Sequence, residues 1–447
     1  MSASKSVWWI SFLLPVSLLA GEGWQVTLPL TNPYPLYQVD QVVPADEGVW
    51  VAGVNDLYKI GSMGEILVHK VLPYQLDKPH FNLQWCPLAY GGSGQLLIMA
   101  NNLEANYLDS VLTQLDSQGR VVRAWKWGGG ASPFGALLAT SDNAYWGAHN
   151  WIMVISRGGE AVRRYYVMPQ TEEHQLRIET LVEGATGSVW AGFGWFDGRD
   201  EGLVAKLDAF GQVLEAFAIR PRYSMEGVSH YGQVRTIQDL PDGGLILNLF
   251  FARHQSAKTY SLLAEVGPDE QARWGQLYQA DGENGINAIR HSAWSGLWGV
   301  GFITDGDAGH HGLMRFSTQG IVQRVWSLTS VGGGYYRPER LALLPDGRVA
   351  LSGLEKPNLN LAVLEPGEGL RGCGMREVDP EGWWLGPVEV EVRPVELEVR
   401  EGEPFAIWEE PLELWEGEGR VLERCDFRTV PPERDPRPSP RGDAPHP

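Results

Sequence analysis

The chain is poor in cysteine. With three in 447 residues, no Cys-x-x-Cys and no adjacent pair, thiolate metal sites, redox dithiols and a dense disulfide framework are excluded. Basic charge is also scarce. The 36 Lys and Arg stand against 55 Asp and Glu, a net charge of −19, which argues against nucleic acid and anionic membrane surfaces as partners. After the first twenty residues no apolar run approaches the about 18 residues of a membrane span, so none is expected once that segment is removed. Helical periodicity is missing throughout, as are a Gly-x-Ser-x-Gly elbow, a His-Glu-x-x-His pair and a Walker loop. The usual local signatures of hydrolases, zinc proteases and nucleotide-binding enzymes are therefore absent.

What is present suits a large globular core: 43% hydrophobic residues, 54 Gly and 19 Trp. Residues 1–20 read as a signal peptide, with Lys5 ahead of an apolar stretch at 7–20 and small residues at Ala20 and Gly21. An uncleaved anchor is the alternative, but the stretch is short and interrupted by Pro15. A secreted, periplasmic or cell-surface location follows. In that setting an odd cysteine count predicts one disulfide and one buried thiol. Cys373 and Cys425 bracket one segment and are the natural pair, leaving Cys86 in "LQWCPLAY" as a core residue.

The dominant feature is a repeat. "LTQLDSQGRVVRAW" at 112–125 and "VAKLDAFGQVLEAF" at 204–217 have the same form: apolar run, Leu-Asp-x-x-Gly turn, apolar run. A Gly-opened apolar strand recurs ahead of such hairpins at Gly48, Gly94, Asn143, Gly187, Gly244, Gly296 and Gly347, with differences between those numbers of 44 to 57 residues. That period marks propellers and solenoids. A further apolar run precedes each copy, so every unit holds four short strands. Seven such units predict an all-β protein, a seven-bladed β-propeller of four-stranded antiparallel blades over residues 21–372. A β-sandwich is the weaker alternative, because it needs no self-similar units. The seventh unit has no convincing fourth strand, whereas "GWQVTLPLT" from residue 23 resembles the fourth strands "RVVRAWKWGG" and "QVLEAFAIRP". Closure by the N-terminal strand is expected.

These units resemble those of secreted bacterial and archaeal β-propeller proteins that read Asp-Gly-Gly-apolar-apolar-Gly, then Lys-Leu-Asp-x-x-Gly. The best matches are residues 242–247, 346–353 and 206–211, and the resemblance spans about 23–372. It implies the fold and export but no reaction. The third and fifth units, "SRGGEA" and "VGPDEQA", lack Leu-Asp-x-x-Gly, and irregular turns are expected there.

Residues 373–430 are expected to form a small β-appendage. "VEVEVRPVELEVREG" alternates apolar and charged residues with period two, as strands with one dry and one wet face do. A Cys373–Cys425 bridge around it is worth on the order of 4 kcal/mol in the chain-entropy model. Its many glutamates suit a solvated strand face better than a metal site. Residues 431–447 are Pro-rich, charged and without apolar period, so a disordered tail is expected; Arg441-Gly442-Asp443 lies within it.

Tight turns put the short connections on one face of a propeller and the long, varied loops on the other, where binding residues usually sit. The long loops and the strands they feed direct His174, Arg177, Glu179, His230, Gln233, Arg235, Asn284, Asn287, Tyr336, Arg337, Glu339 and Arg340 toward a central funnel. A second set, Asp305, Asp307 and His310, offers oxygen and imidazole ligands to a divalent cation such as calcium, although no EF-hand loop is complete. No other cofactor is indicated. The leading functional expectation is a non-catalytic, monomeric binding module for an extracellular or envelope protein or glycan. Two alternatives stay open: a hydrolase or lyase acting on a carbohydrate or lactone through Glu179, Glu226 or Glu339 with His174 or His230, and a purely structural envelope component.

Overall fold

The computed structural model describes residues 23–31, 40–53, 56–71, 88–91, 95–104, 107–127, 135–140, 143–148, 151–156, 162–169, 176–184, 187–195, 200–222, 230–253, 258–281, 285–292, 296–305, 308–329, 337–355, 358–365, 370–371, 373–379, 383–402, 407–409 and 414–429. The expected signal peptide, Cys86 and the 431–447 tail lie outside these. The regular structure is antiparallel β-strand, and no helix among the described residues is long and apolar enough to cross a membrane.

Each sequence unit forms one antiparallel sheet, numbered I to VII here in chain order. Sheet I, for example, runs Asp40–Ala45, Gly48–Gly53, Asp56–Ile60, Ile66–Val71. Sheets IV and V are joined only where Gly194 pairs with Gln233. In sheet VII the fourth strand is N-terminal: Gly23–Pro29 pairs with Asn358–Leu364 over its whole length. The first strands of successive sheets touch in the order I to VII, and VII touches I again. Burial follows the same cycle. Seven apolar clusters each draw from two neighbouring sheets, such as Trp50 and Leu57 of I with Leu96 and Ile98 of II, or Leu359 and Leu361 of VII with Val49 and Val51 of I. The architecture is all-β and propeller-like.

The repeated turn has a simple physical basis. In sheet II, Asp116 Oδ1 accepts hydrogen bonds from the Gln118 and Arg120 amides at 2.9 Å each, and Gly119 takes a φ of 71° that closes the bend. Sheet IV repeats this with Asp208, and Gly211 at 84°. The fifth unit departs from the pattern but closes its turn all the same. Glu270 adopts φ 58° in the glycine's place, and its amide donates to the Gly267 carbonyl at 3.0 Å, closing the same turn. The corresponding turn of the third unit lies outside the described residues.

The segment expected as a separate appendage is arranged differently. Its short strands each add to the outer edge of a different sheet, in the order VI, V, IV, III, II, I, VII: Arg376–Glu377, Trp384–Pro387, Val390–Pro394, Leu397–Gly402, Ile407–Glu409, Trp415–Glu416 and Glu423–Asp426. The segment is a belt. Its two ends meet where Leu370–Arg371 pairs with Arg428–Thr429 and Cys373 bonds to Cys425. The reason is the free edge: seven fourth strands would otherwise present unpaired N–H and C=O groups, which pairing within an appendage would leave unsatisfied. Period-two alternation serves an added edge strand as well as a separate sheet. Apolar belt residues also plug the outer ends of the inter-sheet clusters, Val378 and Trp383 between V and VI, Leu414 between I and II. Polar anchors supplement them: Arg393 forks onto Glu201 at 2.7 and 2.9 Å, Arg220 donates to Glu391 at 3.0 Å, and Lys70 pairs with Glu416. The disulfide is compatible with an oxidising, extracytoplasmic compartment.

Candidate functional site

Sheets IV to VII share a feature not found among the described residues of I to III. In each, the register between first and second strands slips by one residue, between Ile178 and Thr180, Val234 and Thr236, Ile286 and Ala288, and Pro338 and Arg340. First strands of I, II and III pair without a slip. The extra residues are Glu179, Arg235, Asn287 and Glu339, all polar, on strands that otherwise alternate toward apolar neighbours. A bulge leaves its extra residue outside the ladder and re-aims the side chain, and bulges gather beside functional sites. Four successive sheets therefore offer a polar group at the same level of the inner rim.

Local packing fixes this arc. Gly194 makes a close fit between IV and V: a Cβ there would lie 3.0 Å from Gln233 Cγ and 3.1 Å from Glu179 Oε1. The start of sheet VI is tied to V by buried groups: Asn248 Nδ2 donates to the Ile286 carbonyl at 2.9 Å, and Ser261 Oγ accepts from the Ile286 amide at 3.0 Å. Those bonds set Asn287, whose Oδ1 accepts from Arg235 Nη1 at 2.8 Å. The Arg235 guanidinium lies over the buried Phe250 ring, 3.5 Å from its centroid.

Electrostatics join the arc into one site. Arg177 Nε lies 3.3 Å from Glu179 Oε1, and the Glu179 side chain is only 15% exposed. Burial holds the Glu179 carboxyl above the usual carboxylate range, and the charges of Arg177, Arg235 and Arg340 pull it back part of the way. On sheet VI, Arg290 donates through Nη1 to the Ile289 carbonyl at 2.9 Å. Burial first, and the nearby Arg340 charge second, push its guanidinium down to about 10. Three arginines, Arg177, Arg235 and Arg340, thus act on the one Glu179 carboxylate.

Of the residues expected at the funnel, Arg177, Glu179, Gln233, Arg235, Asn287 and Arg340 lie on these first strands with described side chains. His230, Arg337 and Glu339 lie on the same strands, described in backbone only. His174, Asn284 and Tyr336, with Glu226 of the enzymatic alternative, fall outside the described residues. Arg290 and Phe250 were missed by sequence reasoning because attention rested on loops. The bulges did carry a signal, which includes neither residue: aliphatic-or-Pro, polar, variable, aliphatic recurs as Ile-Glu-Thr-Leu, Val-Arg-Thr-Ile, Ile-Asn-Ala-Ile and Pro-Glu-Arg-Leu. Of the cation candidates, Asp305 ends the second strand of sheet VI and His310 lies on the third, pairing with Ile303, while Asp307 is outside the described residues. No group of three His, Cys, Asp or Glu among the described residues could hold a metal ion.

Two other places carry polar groups. A cleft of about 440 Å³ between the turns of I and VII is lined by Asp46, Glu47, Glu65, Asp346 and Arg348. A second, of about 340 Å³, opens beside His69 and belt residue Glu416. There Asp56 accepts from Thr31 and pairs with His69 Nε2 at 2.8 Å, while the imidazole stacks on Tyr58. A Cβ on belt residue Gly417 would lie 2.1 Å from His69 Nδ1, so the belt covers this buried pair closely.

No family model matches the sequence, and no curated protein matches it. Solved structures similar to the chain include a protein of unknown function from Bacteroides caccae (13% identity, 57% of this chain and 93% of that one, TM-score 0.36). Others are the Pan2 WD40 domain of Neurospora crassa (10%, 78% and 98%, TM-score 0.44) and regucalcin, a calcium-binding protein of Agrobacterium tumefaciens (14%, 63% and 90%, TM-score 0.33). With TM-scores below 0.5, these likenesses assign no role to this chain.

Proposed function

We propose that the seven sheets are the blades of one closed, exported seven-bladed β-propeller, with residues 21–372 as the ring and 373–430 as its belt. The protein acts as a non-catalytic binding module. Its ligand enters from the side of the long between-sheet connections and is held at the inner rim of sheets IV to VII. The observation that carries this reading is the set of four bulges, which gives neighbouring sheets the same polar device at the same level. Cyclic contact of the first strands supports the closed ring, and the belt supports a monomer, because it pairs the outer edge of every sheet. The fitting partner is a small polar solute or the exposed tip of an extracellular or envelope glycan.

A thermal-shift panel of neutral and acidic sugars, amino acids, peptides and divalent cations tests the reading. A ligand that raises the melting temperature should lose its effect in Arg235→Ala and Asn287→Ala. It should keep it in Met63→Ala and Phe210→Ala, which alter exposed turn tips 63% and 58% accessible. Loss in the turn variants alone, or turnover of the ligand, would contradict the proposal.

A further inference from the structure

Away from the inner rim, one buried side chain keeps a nitrogen unused. His69 lies on the fourth strand of sheet I, and its ring is enclosed on three sides. Nε2 is 2.8 Å from Asp56 Oδ1, the ring stacks on Tyr58 with centroids 4.1 Å apart, and the belt covers the remaining edge. Asp56 is fixed in turn by the Thr31 amide at 2.7 Å. On the covered edge Nδ1 is buried and has no hydrogen-bond partner among the described residues. Gly417 and Gly419 lie over it: a Cβ on the first would come within 2.1 Å of Nδ1 and on the second within 3.0 Å, and the Gly417 amide donates to the His69 carbonyl at 3.0 Å. The belt turn rests on the imidazole itself. The adjoining cleft of about 340 Å³, lined also by Lys70, Gln118 and Glu416, gives water a route to the ring once the turn moves.

A lone pair suits that covered position better than a proton does. With its Nε2–H given to Asp56, a neutral imidazole leaves an unused acceptor at Nδ1, whereas a protonated one leaves an ionised donor, which is costlier to keep from water. Both members of the Asp56–His69 pair belong to sheet I, so their attraction is the same with the belt seated or lifted. Glu416 favours the seated belt, but its side chain is 79% exposed and is paired with Lys70. Glu418, between the two glycines, is exposed as well. Tyr58 stays protonated throughout, because burial first and the Asp56 charge second hold its phenol above the usual range. Imidazole is the side-chain type whose charge changes between about pH 5 and 8.

We infer that His69 is a proton-operated latch for the belt: residues 416–419 are seated on sheet I while Nδ1 is bare and lift when Nδ1 takes a proton. Backbone pairing resists little here, since the belt strand at sheet I joins Ile66–Val71 only through Trp415 with Val71 and Glu416 with Lys70. Lifting uncovers that outer edge at one point of the circumference. An uncovered edge is a template for a further strand, so acidification opens a docking place that the seated belt keeps closed.

Hydrogen exchange of the full chain, read by mass spectrometry at about pH 7.5 and about pH 5.5 with times scaled for the chemical exchange rate, tests the latch. In the parent, protection of residues 414–419 should fall at least about tenfold on acidification, while the belt strands Val390–Pro394 and Leu397–Gly402 keep theirs. His69→Gln retains an amide that can donate to Asp56 but takes up no proton, so its belt turn should be equally protected at both values. Gly417→Ala sets a methyl against Nδ1 and should leave the turn open at both. Melting curves establish that each variant is folded. Equal or greater protection of 414–419 in the acidified parent overturns the inference without any variant. An acid response that survives in folded His69→Gln overturns it too, as does a Gly417→Ala belt turn as protected as the parent's at the higher pH. Loosening of all three belt segments together would put the trigger elsewhere and likewise overturn it.

Discussion

Every four-stranded sheet has two edges, and the inner and outer rims of this molecule treat them in opposite ways. On the outer rim each fourth strand, Gly23–Pro29 of sheet VII included, is paired by a strand of the belt. Apolar belt residues such as Trp383 and Leu414 close the ends of the inter-sheet clusters beneath. On the inner rim the first strands of four sheets carry polar bulges, and arginine stands where an apolar residue would pack. An unpaired edge is an invitation to associate. The outer rim removes that invitation with backbone pairing, whereas the inner rim narrows it to groups of chosen charge. Under the proposed binding role, stability is concentrated at the circumference and recognition at the centre.

If the outer rim is a stability device, cutting it should give the largest effect. Replacing Cys373 and Cys425 by Ser opens the belt and should cost on the order of 4 kcal/mol in urea unfolding, with a smaller apparent denaturant slope if the belt detaches first. Trp383→Ala removes a fully buried side chain where the belt meets V and VI, and about 3 kcal/mol should be lost in the same measurement. Arg393→Ala takes the fork from Glu201, whose side chain is 6% exposed, at a cost of about 1 to 2 kcal/mol.

The inner rim should respond in the other direction. Glu179 has a folded-state pKa raised by burial, so the folded protein holds that proton more tightly than the unfolded chain does. Its contribution is fullest below the unfolded carboxylate pKa and is lost as pH rises through the folded value. Glu179→Gln removes that loss and should melt at a higher temperature than the parent at pH 7, with the gap closing as the solution is acidified. A parent more stable than Glu179→Gln at pH 7 would place Glu179 among the stabilising ion pairs and blur the contrast between the rims.

The repeated antiparallel sheets were legible in the sequence because their information is local. Leu-Asp-x-x-Gly at 115–119 and 207–211 specifies a turn by Asp capping and a left-handed glycine, and the turns divide the apolar runs into strands. The belt was not legible. "VEVEVRPVELEVREG" states that strands will form but not which edges they will join, and that choice depends on seven fourth strands distant in sequence. Cys373 and Cys425 did mark where the belt begins and ends. At the inner rim, polar residues on first strands were visible as candidates, but a bulge is a register shift between two strands and leaves only a faint trace in either.

Hydrogen exchange read by mass spectrometry, with and without a saturating ligand from the thermal-shift panel, tests most directly the proposal that recognition belongs to the inner rim. Protection is predicted in Leu176–Glu183, His230–Asp239, Ile286–Ser292 and Arg337–Leu343, with the belt strands unchanged. Protection confined to the belt, or to the turns that carry Met63 and Phe210, would contradict it.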